Sequence, residues 1–530
     1  MRRAFASRYD SAMNLPLLSK YLGVVTLLLA AAMLFALPWA FPWLGHGEHF
    51  DTRGFFAVLS ASVIAAVLGV AMLVGGRAAK GQLYRREAIA IVGISWLIFT
   101  IVGALPFILG HVKGTESREQ IVRLVVDDLF ESASGFTGAG ATILNDIEDE
   151  SKLPKCLLFW RSETHFVGGL GIMVLFVALL GQGSAGKALL MTESVGPQGE
   201  VGTSRSQHSA WIFAGIYVGL NVVLTILLML EGMNLFDALC HSFGTIATGG
   251  LSTYNSSVAH FQNVSIEMTI GTFMMIACVN FSLLYAALLG QWSRLWINTE
   301  LWVYLAILFG VIFAVMIAGL WHHDFPDWAT AFRLSYFNVI SVQTNTGFGT
   351  ADFDRWNEFS RGMLFVLMFV GGCAGSTSCS LKVIRHVVLW KSLYNYVLHT
   401  FRPRLITTMR LNGKAVDDAD ELTNEVFIYF GMVGLVFIIA WMSLLLLEPD
   451  SAWLEAGHSP PVKMLDCATG VAACINGVGP GLGALGPSKN FASFSIGSKL
   501  VFTALMLLGR IEIFPLLVIF TPGLWRRPTT

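Results

Sequence analysis

Residues Phe130–Thr142 read FESASGFTGAGAT. No charge follows Glu131 in this Gly/Ser/Thr-rich stretch, and the flanking runs are apolar and long enough to cross a bilayer. Three other stretches share its grammar: Gly244–Thr253 (GTIATGGLST), Ser341–Gly349 (SVQTNTGFG) and Ala472–Gly483 (AACINGVGPGLG). Each follows a short amphipathic run and precedes a long apolar one. Four copies of helix, re-entrant hairpin and helix predict four walls around one pore, with the rest of the chain as its support.

Composition agrees with that reading. Of 530 residues, 55% are hydrophobic and 13% charged, whereas soluble domains run near 45–50% apolar and about 25% charged. The class is an all-α polytopic membrane protein embedded in a lipid bilayer. A net charge of −1 argues against nucleic acid as a partner. The seven cysteines show no zinc spacing and read as small buried hydrophobes.

Candidate spans are 21–43, 55–76, 87–110, 156–181, 209–230, 264–290, 300–320, 359–396, 424–447 and 494–521, of which 359–396 is too long and broken in its middle. The predicted organisation is an N-terminal segment with an extra helix pair (1–83), then repeats at 84–182, 183–297, 298–415 and 416–530, the third with a broken second helix. Basic residues set the orientation. Arg2, Arg3 and Arg8, then Arg77, Lys80, Arg85 and Arg86, then Lys391, Arg402, Arg404, Arg410 and Lys414, and finally Arg526 and Arg527 all fall on one side. Glu48, Asp51, Asp146, Glu148, Asp149 and Glu150 fall on the other. Both termini are expected in the cytoplasm, with the hairpins entering from outside. The connections at 182–208 and 402–423 read as solvated connectors or as docking surfaces for a cytosolic partner.

Irregular backbone at membrane depth survives only when packed in protein or lining a watery path. Four hairpins converging on one axis would turn carbonyl rings inward and replace the hydration shell of a small cation. The half-helices before them would aim negative dipole ends at the same place. Aligned on their turns, the segments are Thr137-Gly138-Ala139-Gly140, Ile246-Ala247-Thr248-Gly249, Thr344-Asn345-Thr346-Gly347 and Asn476-Gly477-Val478-Gly479, each ending in glycine. They hold no acidic side chain, which favours a monovalent over a divalent ion.

The broken span carries Gly371, Gly372, Cys373, Ala374, Gly375, Ser376, Thr377 and Ser378 at its centre, followed by Lys382 and Arg385. So many Gly, Ser and Thr residues make a poor helix interior, so an intramembrane loop is expected, placed below the third hairpin where it obstructs the pore. Arg510, in LLGRIEIFPLL, lies inside the last span. Glu512 is two residues on and does not share its helix face, so Arg510 is expected to face the pore or the loop. Arg161 and His165 read as anchors near the outer end of their span.

These motifs, with FDALCHSFGTIATGGLST, LKVIR after GGCAGSTS, and LMLLGRIEIFPLLVIFTP, resemble the TrkH family, the potassium-translocating subunits of the bacterial Trk/Ktr/HKT superfamily. The resemblance runs from about residue 84 to 525, and the extra N-terminal pair is similar to TrkH rather than to shorter relatives. It implies a homodimer in the inner membrane, one pore per protomer, gated by a cytosolic nucleotide-binding TrkA-type subunit. It also implies K⁺ as the transported ion, with no organic cofactor on this chain. Gly140, Gly249, Gly347 and Gly479 match the filter glycines, Lys382 and the 371–380 loop match the gate, and Arg510 matches the basic residue across the path. The sequence departs in two places. The first filter, commonly Thr-Thr-Thr-Gly, is Thr137-Gly138-Ala139-Gly140, and Cys379 and Ser380 stand where the gate loop usually has two glycines.

The expected function is K⁺ uptake through a channel-like filter. A Na⁺-permeable or H⁺- or Na⁺-coupled transporter is the alternative within transport, and a structural scaffold the alternative outside it. An intramembrane enzyme is disfavoured, because neither HExxH nor GxSxG occurs.

Overall fold

The computed structural model describes residues 13–45, 49–79, 83–111, 117–171, 203–404, 408–416, 418–455, 457 and 460–525. Arg2, Arg3, Arg8, Glu48, Lys80, Arg526, Arg527 and most of the connection at 182–208 lie outside these residues. Among the described residues the fold is helical, with one two-residue β-ribbon pairing Arg410 with Ala415 and Leu411 with Lys414.

Among the described residues, six helices are long and apolar enough to cross a membrane: Leu15–Ala40, Thr52–Gly75, Arg86–His111, Ala210–Leu230, Thr299–Trp321 and Ala419–Leu447. Their outward residues are apolar, as lipid demands: Leu230, Trp321 and Leu446 are about four-fifths exposed (79%, 80% and 85%). The first two helices form an antiparallel pair at a small-residue crossing. A Cβ on Gly23 would come within 2.8 Å of the Gly69 carbonyl, so the pair needs glycine there to pack this closely. Ser62 Oγ donates to Ala30 O and Ser19 Oγ to Met72 O, closing that hairpin with polar contacts inside an apolar setting.

Two expected spans are interrupted. Residues 264–290 form Val264–Ala277 and Phe281–Leu288, bent by 105°. The bend is stabilised because Asn280 caps the second piece through Ser282 N (2.7 Å), while Cys278 O and Phe281 N bond to Cys373 N and Gly375 O. Freed backbone groups at a break must find such partners inside the protein. Residues 494–521 form Ile496–Arg510, then a break, then Phe514–Ile519. Glu512 and Ile513 have φ of +58° and +60°, and Pro515 occupies the first turn of the resumed helix, where its missing N–H costs nothing. The span at 359–396 is broken as expected, into Glu358–Leu367 and Val383–Phe401. The span at 156–181 is helical over Lys155–Leu170, and its remainder falls outside the described residues.

Four shorter helices precede the Gly-rich turns: Arg118–Thr137, Leu235–Ile246, Trp328–Gln343 and Lys463–Asn476. Their starts are written locally. Ser117 and Gln120 form a capping box, and Asn234 and Asp327 accept from Asp237 N and Thr330 N. All seven cysteines are buried and free.

Candidate ion pathway

The four short helices end in one geometry. In each, a backbone N–H reaches back five residues: Ala139 to Ser134 O, Gly249 to Gly244 O, Thr346 to Ser341 O and Val478 to Ala473 O, at 2.7–3.0 Å. The residue before each donor is left-handed: Gly138 (φ +69°), Thr248 (+55°), Asn345 (+59°) and Gly477 (+68°). This is a Schellman termination. Two of its left-handed positions hold non-glycine residues, and Thr248, being β-branched, is the strained one.

The residue after each donor is also left-handed, and here it is always glycine: Gly140 (+70°), Gly250 (+76°), Gly347 (+85°) and Gly479 (+88°). The second turn is therefore Ala247-Thr248-Gly249-Gly250, one residue later than the sequence alignment placed it. Ile246 is the last helical residue, and Gly249 is equivalent to Ala139, Thr346 and Val478. The double glycine hid the register. Either residue could end the quartet by spacing, and only the φ pattern separates them.

The turns close into a ring. A Cβ on Gly140 would meet Gly249 O, one on Gly250 Thr346 O, one on Gly347 Val478 O, and one on Gly479 Ala139 O at 2.8 Å. Each turn thus abuts the next and the fourth returns to the first. Gly140, Gly250, Gly347 and Gly479 line one cavity, and Gly249 does not.

Beneath the ring lies the 371–380 loop. Ser378 Oγ donates to Asn345 Oδ1 (2.8 Å), Ser380 Oγ to Asn476 Oδ1 (2.9 Å), and Cys379 Sγ to Thr137 O (3.3 Å). Thr377 Oγ1 donates to Ala277 O (3.2 Å), at the 105° bend. The loop therefore spans the ring from the first turn to the fourth, and is not confined below the third. Its shape is held from inside by Lys382 Nζ on Ser378 O and Gly372 N on Ser378 Oγ, and from outside by Glu300. One oxygen of that buried carboxylate accepts from Ala374 N (2.7 Å) and from Ile384 N (3.2 Å), tying both limbs together. Ser380 takes φ +64° in a position where glycine would be unstrained.

Below the loop is a second cavity, lined by Gly375 through Ser380 with Lys382, Gly509, Arg510 and Glu512. Arg510 bonds Thr377 O (2.8 Å), Cys379 Sγ (3.1 Å) and Gly168 O (3.2 Å), which fulfils the expectation that it faces the loop. Glu512 pairs with Arg385 at 2.5 Å instead of with Arg510. Arg385 lies over the Tyr429 ring, 3.9 Å from its centroid.

Arg161 and His165 are not interfacial anchors. Both are fully buried behind the turns, where Arg161 pairs with Glu131 (2.9 Å) and His165 contacts Gly135 O (2.6 Å) and Leu251 N (3.2 Å). A charge in an apolar run signalled them, but which partners they meet depends on elements from 30 to 86 residues away.

The chain is thus a helical membrane protein with a closed ring of four turns and the 371–380 loop between two cavities. Comparison with known proteins gives the family. The TrkH cation transport protein family matches residues 55–295 and 286–526, and the chain belongs to it. Membership places it among transport proteins, not enzymes. It is 33% identical over 489 residues to the Trk system potassium uptake protein TrkH of Salmonella typhimurium, covering 91% of this chain and 93% of that one. The Trk system potassium uptake protein TrkG of Escherichia coli is 31% identical over 451 residues, covering 84% and 86%. The crystal structure of the potassium transporter TrkH from Vibrio parahaemolyticus superimposes with a TM-score of 0.82 at 28% identity, covering 97% of this chain and all of that one (100%).

Proposed function

We propose that this chain carries K⁺ into the cell through the ring of four turns, with the 371–380 loop and Arg510 as its gate. The observation that carries the reading is the closed ring of Schellman turns between two cavities. Helix C-termini and backbone carbonyls gather negative potential at the ring without any carboxylate in it. That suits a weakly hydrated monovalent ion, which must enter and leave readily, better than a divalent one. The filter in this proposal comprises Thr137–Gly140, Ala247–Gly250, Thr344–Gly347 and Asn476–Gly479. Gly371, Gly372, Gly375, Ser376, Thr377, Ser378, Lys382 and Arg510 form the gate. Two potassium-uptake relatives and a potassium transporter of the same fold support K⁺ as the ion.

The same reading assigns repeats to 84–182, 183–297, 298–415 and 416–530 behind the N-terminal helix pair. It puts the chain in the bacterial inner membrane as a homodimer with both termini in the cytoplasm. A cytosolic nucleotide-binding subunit of the TrkA type docks on the basic face that includes Arg402, Arg404 and Arg410. The test is isotope uptake into liposomes holding the purified chain, with external K⁺ or Na⁺ and with or without an imposed proton gradient. Saturable K⁺ uptake that exceeds Na⁺ uptake is expected. Equal uptake of both ions, or none, would overturn the proposal.

A further inference from the structure

We propose that the buried Arg161–Glu131 pair, with His165, is a positioning device that sets the ion selectivity of the first and second turns. The inference rests on reading the ring as a filter. In the first turn Gly138 and Gly140 flank Ala139, and the one hydroxyl, Thr137 Oγ1, is turned back onto Ala133 O (2.6 Å). In the third turn, by contrast, the Thr344 and Thr346 hydroxyls meet at 2.8 Å. Glycine-rich backbone gains order only from what packs behind it.

Behind the first turn stands a charged seam. Glu131 Oε1 accepts from Thr142 Oγ1 (2.6 Å) and Ile143 N (2.7 Å), fixing the strand that leaves the turn. Its other oxygen accepts from Arg161 Nε (2.9 Å). Arg161 then crosses to the second hairpin and donates to Ser252 O (3.1 Å). Ser252 Oγ meets His241 Nε2 (2.9 Å), whose Nδ1 lies 2.8 Å from Asp237 O, so the seam ends on the second short helix. His165 makes the parallel link. Its Nδ1 donates to Gly135 O and its Nε2 accepts from Leu251 N, a pattern that requires one tautomer of a neutral ring. The ring also lies against Gly249, where a Cβ would come within 2.5 Å of it. The imidazole is thus a spacer of fixed thickness between the two turns.

The other seams are tied by different groups: Arg333 of the third short helix pairs with Glu267 (2.6 Å), and Lys499 with Asp127 of the first short helix (2.6 Å). Second and third hairpins join through Gly349, whose N and O bond Ser257 Oγ and Ala259 N. Third and fourth join through Gly483 N on Asp354 Oδ1 (2.9 Å), and fourth and first through Phe491 N on Thr142 O (2.8 Å). What sets the first seam apart is that its charge-assisted carboxylate bonds directly to the segment leaving the turn, at Thr142 Oγ1 and Ile143 N. Here it braces a turn whose one hydroxyl is spent on its own helix, and so holds the carbonyl spacing that distinguishes K⁺ from the smaller Na⁺.

The experiment measures K⁺ over Na⁺ uptake in liposomes for wild type, Arg161→Gln, the double variant Glu131→Gln/Arg161→Gln, and Gly140→Ser. Arg161→Gln strands a buried carboxylate and risks misfolding. The double variant removes both charges while retaining an acceptor for Ile143 N, so it keeps the inference testable. The double variant should still take up K⁺ while its K⁺/Na⁺ ratio falls about tenfold, equivalent to about 1.4 kcal/mol of differential ion binding. A folded double variant with the wild-type ratio, alongside a reduced ratio in Gly140→Ser, overturns the role of the pair and leaves the filter reading standing. An unchanged ratio in Gly140→Ser as well overturns the filter reading itself.

Discussion

Arg510→Ala should raise K⁺ flux in the absence of any regulatory subunit. On the proposed gate reading, the guanidinium acts on the pathway in two ways. It places a charge that persists at any relevant pH in the cavity below the 371–380 loop, and it ties that loop through Thr377 O and Cys379 Sγ to Gly168 O of another helix. At roughly 5 Å and an effective dielectric near 20, its repulsion of a passing monovalent cation is about 3 kcal/mol. Hydrogen bonds from a charged donor contribute about 1.5–3 kcal/mol each to holding the loop. The two effects overlap and do not add, because both vanish with the same side chain. Taking the Coulomb part alone, flux should rise about a hundredfold, at about 1.4 kcal/mol per decade. The assay is isotope uptake into liposomes at equal protein incorporation, with Arg510→Lys beside it. Lysine keeps the charge and loses the fork, so it separates repulsion from pinning. Lysine with near wild-type flux indicates repulsion, and lysine as fast as alanine indicates the tether. An Arg510→Ala protein that is monodisperse and conducts no faster than wild type refutes the gate assignment, leaving the arginine as an anchor.

The corrected register predicts that Gly250→Ser lowers the K⁺/Na⁺ uptake ratio as Gly140→Ser does, because both glycines line the same cavity. Gly249→Ala should instead cost folded protein, measured as monodisperse yield, since its Cβ runs into the His165 ring. Ser378→Ala removes the hydroxyl that joins the loop to Asn345 and should raise basal flux about fivefold, for one hydrogen bond of about 1 kcal/mol. Unchanged flux there would mean that the latch does not hold the closed state. Glu300→Ala leaves the Ala374 and Ile384 N–H groups without their acceptor and should lower the thermal midpoint of the detergent-solubilised protein, by about 1–3 kcal/mol of stability. Charge reversal at Arg402, Arg404 and Arg410 should reduce co-purification of the regulatory subunit, and undiminished retention would remove that face from the docking site.

Much of the architecture was legible because it is written in local terms. Long apolar runs mark spans whatever surrounds them, and turns such as SGFTGAGAT need glycine at fixed places in the backbone. The broken third-repeat span was readable for the same reason, as eight small residues from Gly371 to Ser378 cannot sustain a helix in lipid without partners. Arg510 could be turned towards the pore or the loop by elimination, since Glu512 lies on another face, and only the structure chose the loop. Tertiary structure alone decided the rest. The bend at Cys278–Asn280 is invisible in an apolar run, because its cause is the 371–380 loop supplying partners from nearly a hundred residues away. The choice of Gly250 over Gly249 follows from a φ pattern and from a histidine on a different helix. The pairing of Arg161 with Glu131 and Ser252, and of Glu512 with Arg385, depends on which helix ends meet around the ring. Composition shows that buried charges need partners, but only packing determines which ones they find.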